Sequence, residues 1–199
     1  MPGVSIYRVV ALSAAICSAM LLTGCDSSSS DSDASAHVRI LLTDAPFPFD
    51  LVSEANVRIE NVSLKGTGVD TVLLSDAAQP FNLLELQNGV TAPLADLEVA
   101  AGTYTQLRLI VGDSASIALK SGDEYPLKIP SGSQSGVKIQ LGNLALENGD
   151  LAQITIDFDV EDSFVVQGNP ETPAGIKGFI FKPVVKAKSV EVNGEETSS

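Results

Sequence analysis

Asp157, Asp159 and Glu161 alternate with Phe158 and Val160 in the stretch "ITIDFDVEDS", and Asp162 follows directly. On an extended strand such alternate side chains share one face about 7 Å apart, so three carboxylates repel one another mildly. A hard cation relieves that repulsion, and Ca²⁺ takes oxygen ligands of this kind. Asp157, Asp159 and Glu161 are therefore the candidate ligands of a weak Ca²⁺ site. The competing reading is a solvated acidic face, because a strand spreads ligands that calcium loops wrap, and no DxDxDG pattern occurs. A paired-carboxylate glycosidase would need a sugar cleft that nothing else indicates. Other chemistry is thinly provided. His37 is the only histidine, so a hydrolase triad lacks a base and zinc lacks a ligand cluster. "GSQSGVK" from Gly132 to Lys138 lacks the spacing of a phosphate loop and reads as a polar hairpin or crossover loop. Asp44 ends an apolar run and is expected to bond its own backbone in an Asx-type turn. Phe47 and Phe49, bracketed by Pro46 and Pro48, are candidates for a contact tip. Catalysis and a resident cofactor are not expected.

Cys25 carries a different chemistry. Val9 to Leu22 is almost wholly apolar and follows a short segment whose only basic side chain is Arg8. As a helix those fourteen residues span about 21 Å, short of the hydrocarbon core, which fits a signal peptide better than a permanent span. Leu22-Thr23-Gly24-Cys25 resembles the lipobox of bacterial lipoproteins. The resemblance implies cleavage before Cys25 and a diacylglycerol on its thiol, with two or more acyl chains giving stable attachment. Residues 1–24 are then the signal peptide. Residues 25–36, the lipidated Cys25 with a Ser/Asp-rich tract, form a tether that buries too little apolar surface to order itself. Cys17 lies in the removed part, so the mature chain keeps no second thiol for a disulfide. Asp26 resembles an enteric inner-membrane retention signal that other lineages do not obey. The choice between inner and outer membrane stays open.

The 199 residues include 12 basic and 25 acidic side chains, a formal net charge of −13. That balance repels nucleic acid and anionic headgroups alike. Hydrophobic residues make up 44% but aromatics only 5%, so the core must be built from Val, Ile and Leu.

The elements that must position these groups read as strands. "HVRILLTD" sets Val38, Ile40 and Leu42 against Arg39, Leu41 and Thr43. "YTQLRLIV" sets Thr105, Leu107, Leu109 and Val111 against Gln106 and Arg108, and "EYPLKIP" sets Tyr125, Leu127 and Ile129 against Glu124, Pro126 and Lys128. "LAQITIDFDV" puts Ala152, Ile154, Ile156, Phe158 and Val160 inward, with Gln153, Thr155, Asp157 and Asp159 outward. Alternation of this kind marks half-buried strands of antiparallel sheets. In "EANVRIENVSLK" the inward set switches from Val57 and Ile59 to Val62 and Leu64, which requires a bulge near Glu60–Asn61. Turn signals between the runs give about eight to ten strands, the pattern of an all-β, antiparallel, Ig-like sandwich over residues 37–188. Only "APLADLEVAAG" has room for a helical turn, and residues 189–199 read as a flexible acidic tail.

"LLTDAP", "FNLLELQNGVTAPLADLEVAAGTYTQLRLIV", "YPLKIPSGSQSGVKI", "ITIDFDVEDSFVV" and "FIFKPVV" together resemble the bacterial domain of unknown function 4382, over about Val38 to Lys186. That family is similar to prealbumin-like and carboxypeptidase-regulatory-like sandwiches and is common in lipoproteins. The resemblance implies a fold and a location, with no catalytic residues. The expected function is a lipoprotein on the extracytoplasmic face of the bacterial cell envelope. Its sandwich would be a binding or adhesion-like module for a protein or glycan at its end loops. The alternative is a structural envelope component that spaces or assembles with other proteins.

Overall fold

The structure, a computed structural model, describes residues 34–44, 50–127, 136–169 and 175–197. Fourteen strands occur among them, more than the alternation reveals, because the short β3, β4 and β14 carry no full period. One sheet has the order β14-β13-β10-β1-β5: β1 is Ser35–Asp44, β5 Ala92–Ala100, β10 Leu151–Phe158, β13 Val185–Val192 and β14 Glu195–Glu196. The second has the path β8-β7-β2-β6-β9, with β2 Val52–Thr67, β6 Gly102–Val111, β7 Ala115–Leu119, β8 Glu124–Leu127 and β9 Val137–Leu146. β3 (Val72–Ser75) and β4 (Gln79–Asn82) pair with β2 on the side away from β6. A two-stranded ribbon joins β11 (Phe164–Gly168) to β12 (Ile176–Phe181).

The all-β sandwich is as the alternation requires. Val38, Ile40, Leu42, Ile154, Ile156 and Phe158 of the first sheet and Val57, Ile59, Val62, Leu64, Leu107 and Leu109 of the second merge into one buried core. Each large apolar side chain so buried contributes about 1.5–3 kcal/mol. The bulge in β2 falls between Ile59 and Asn61, where the inward set changes parity.

The structure departs from the alternation at five places. β1 and β10 run parallel, not antiparallel. The β9–β10 turn returns the chain to the end where β1 begins, tied by Gly149 N–H to Ser35 O at 2.7 Å and His37 N–H to Asp150 O at 2.7 Å, so both strands must leave in the same direction. In β6 the buried residue is Tyr104 instead of Thr105, because a bulge between Tyr104 and Gln106 shifts the parity. "APLADLEVAAG" is strand β5, paired to β1, with no helical turn. The helical turns fall instead at Leu83–Leu86, a 3₁₀ turn capped by Asn82, and at Val160–Ser163, here α1. The sheet also outruns residues 37–188 at both ends. β1 starts at Ser35, and β13 continues to Val192, where Asn193 and Gly194, both at positive φ, turn it into β14. The acidic tail is thereby held as sheet edge through Glu196.

Candidate functional site

Two ends of the sandwich can be told apart. The near end holds the start of β1, the β5–β6 and β9–β10 turns and the β13–β14 hairpin. The far end holds Asp44 at the close of β1, the 3₁₀ turn, α1 and the β7–β8 hairpin. The 3₁₀ turn ties the far ends of both sheets together: Thr43 Oγ1 donates to Leu86 O at 3.1 Å, and the Ala55 N–H donates to Asn82 Oδ1 at 3.2 Å.

Asp44 is paired in register with Phe158, so it points inward with the core residues and is only 2% exposed. Its Oδ2 receives a long hydrogen bond from Gln87 Nε2 at 3.4 Å, while Oδ1 is buried without a partner. Burial pushes this carboxyl up to about 7 against the opposing pull of Gln87 and the Val160 N–H, and the Asp157 and Asp159 charges push the same way as burial. The turn expected after Asp44 involves residues 45–49, including Phe47 and Phe49, which lie outside the described residues.

The three candidate cation ligands do not form one strand face. β10 stops at Phe158, and Glu161 belongs to α1. The physical cause is a helix cap: Asp159 Oδ1 accepts the Asp162 N–H at 3.1 Å, as an aspartate before an acidic first turn does. Asp159 Oδ2 is also held by Lys186 Nζ at 2.9 Å. Burial opposes its ionisation, yet the Asp162 N–H and the Lys186 ammonium together hold Asp159 below the usual carboxylate range. Asp157 is pushed up, chiefly by burial, with its Oδ1 lacking a partner. Among the described residues no group of three or more His, Cys, Asp or Glu side chains is placed to hold a metal ion. The weak Ca²⁺ site on Asp157, Asp159 and Glu161 is therefore not assembled.

At the same far end a cavity of about 310 Å³ opens between Leu51, the β7–β8 hairpin and the start of β12. Leu119, Tyr125 and Ile176 give it an apolar wall, and Lys120 and Asp123 give it one charge of each sign. The Tyr125 hydroxyl donates to Ile176 O at 3.3 Å, and its ring meets Phe179 edge-on at 5.4 Å, so the ribbon is pinned to β8. Such a cavity is large enough for a small ligand group.

His37 sits near the opposite end. Its Nε2 contacts Asp96 Oδ1, and Arg39 Nε donates to Asp96 Oδ2 at 3.0 Å. The Arg39 guanidinium first, and His37 second, hold Asp96 below the usual range. No sequence signal announces the side-chain partners of Asp44, Asp159 or His37, since they lie 27 to 59 residues away along the chain. Cys25, Cys17, Lys128, Ile129 and residues 132–135 fall outside the described residues, as does the lipobox; of the expected polar loop, Val137 and Lys138 belong to strand β9.

Fold and site thus define a two-sheet β-sandwich with a small mixed cavity at one end. The chain belongs to the family described as a domain of unknown function, DUF4382, whose match covers residues 35–183 and begins with β1. No curated protein matches it. A solved structure from Parabacteroides distasonis ATCC 8503, described as "a putative cell adhesion protein", is 14% identical with a TM-score of 0.32. The match covers 83% of this chain and 54% of that one, so this chain spans about half the length of that protein.

Proposed function

We propose that the protein is a lipoprotein anchored through Cys25 on the extracytoplasmic face of the bacterial cell envelope, and that its sandwich is a binding or adhesion-like module. The supporting observation is the direction of β1. The chain enters the sheet at Ser35, on the near end, and the cavity and Asp44 lie at the far end. Ten strand residues separate the two by about 30 Å. An anchor that enters the sandwich at Ser35 attaches to the near end, so the far end is left free for a protein or glycan ligand. No catalytic step is assigned: His37, the one histidine of the chain, is engaged with Asp96 near the other end.

A structural role through assembly is favoured by one observation. Val165 and Ile180 are cross-strand partners on the ribbon and are 52% and 46% exposed. The anchor is tested by replacing Cys25 with Ser and analysing the chain by mass spectrometry in cells. The wild type should carry acyl groups on Cys25 as its first residue, and Cys25→Ser should accumulate as precursor. A mature amino terminus beyond Cys25 in the wild type contradicts the reading.

A further inference from the structure

One region of the outer face of the second sheet, across β2, β6 and β9, carries basic side chains in an otherwise acidic molecule. Pairing places Ser63, Arg108 and Lys138 in one row across β2, β6 and β9, with Leu73 of β3 beside Ser63. The neighbouring row holds Lys65, Gln106 and Gln140. Cross-strand partners point to the same face, and alternate residues along a strand share it. Leu64, Leu107 and Ile139, which lie between the rows, are buried in the core, so both rows face outward.

Three of the chain's 12 basic side chains therefore converge on one face. No Asp or Glu occupies positions 63–65, 106–108, 138–140 or 72–75, although acids outnumber bases 25 to 12 overall. Neither Lys65 nor Arg108 forms a salt bridge among the described residues, whereas Arg39 and Lys186 do. Between them the sheet surface and the β2–β3 loop leave a cavity of about 190 Å³ lined by Ser63, Lys65, Thr71 and Arg108. Two cations and two hydroxyls are donors, and none of the four lining residues is a carboxylate. The guanidinium fork matches a planar or tetrahedral oxyanion, and the ammonium and hydroxyls supply further hydrogen bonds.

We propose that this cavity is an oxyanion-binding site, with Arg108 and Lys65 as the charged ligands, Ser63 and Thr71 as hydroxyl donors, and Lys138 extending the field by one strand. Its volume is below that of a cleft for a drug-sized molecule, and it suits one phosphate, sulfate or carboxylate group with about one attached ring. A long phosphate backbone is disfavoured, because the acidic surface around three cations repels it. The site lies on the side of the sandwich, apart from the far-end cavity, and does not depend on the function proposed for that end.

The test is calorimetric titration of the whole chain at low ionic strength with inorganic phosphate, sulfate and glucuronate in separate arms. At least one anion should bind at one site, more weakly as chloride is added. Arg108→Gln and Lys65→Met should each lower the affinity about tenfold or more, and Lys138→Met by less. Lys120→Met, which changes the far-end cavity alone, should leave affinity within about twofold. Lys65 is exposed, so its variant tests the site even if Arg108→Gln disturbs the sheet. The preferred anion identifies the ligand class. Failure of all three anions to bind overturns the proposal, as does binding that survives both Arg108→Gln and Lys65→Met.

Discussion

Asp44 shows what a single residue can impose on this fold. Its carboxyl titrates near 7 in the folded protein and near 3.8 when exposed, so between those values the folded state binds the extra proton. Stability from Asp44 is thus fully present below about pH 4 and is lost as pH rises through 7. Asn at this position keeps the shape and removes the charge. Asp44→Asn should leave the melting temperature nearly unchanged at pH 3, below both values, and stabilise the fold by about 2–4 kcal/mol at pH 8, above both, after allowance for solvent contact at the strand end. Equal effects at both pH values would contradict this assignment. The sequence hints at Asp44 only as a turn former. That it points inward follows from the alternation of Val38, Ile40 and Leu42, but that it is sealed follows from Gln87 and α1, which no local pattern reveals.

The same scale separates Ile156 from Thr155. Ile156 is fully buried, and Ile156→Asp should prevent folding or cost about 4 kcal/mol or more. Thr155 is on the outer face, yet it is only 9% exposed between its neighbours Leu41 and Ser189. Thr155→Asp should therefore cost about 1–3 kcal/mol, more than a free surface position would. Chemical denaturation of the two variants gives both values.

At the scale of elements, legibility follows period. The bulge of β2 is written in the chain because Val57, Ile59, Val62 and Leu64 cannot all face inward without it. The second irregularity, at Lys65/Gly66, is not written there; it exists because Gly66 lets Val69 fold back over it. A Cβ at Gly66 would collide with the Val69 side chain and stand 2.6 Å from Thr103 O. Gly66→Ala should destabilise the fold by about 1–3 kcal/mol, visible as a lower denaturation midpoint with an unchanged slope. "APLADLEVAAG" is ambiguous by itself, since Leu94 and Leu97 stand three apart as on a helix, while Leu97 and Val99 stand two apart as on a strand. Pairing with β1 decides it, and pairing is a tertiary fact. The parallel run of β1 and β10 is equally invisible, because both strands alternate as antiparallel strands do. The cap at Asp159 goes unread in "DVEDS", because the alternation continues through Val160 as a longer strand.

For the whole molecule, the order of strands sets a polarity that no single residue carries. The entry of β1, the Asn148–Asp150 turn and the β14 edge form one end. Asp44, the cavity beside Lys120 and the ribbon form the other. The Asp96 and Lys186 ion pairs are exposed and weakly stabilising, so the core, not surface charge, holds these ends apart. The proposed function requires the far end to be the face that meets a ligand. Site-specific photo-crosslinking on intact cells tests this most directly, with the photoreactive residue placed at Lys120 in one variant and at Glu195 in another. The account predicts discrete crosslinked products at Lys120 and none, or only lipid adducts, at Glu195. Discrete protein or glycan products at Glu195 with none at Lys120 would contradict it.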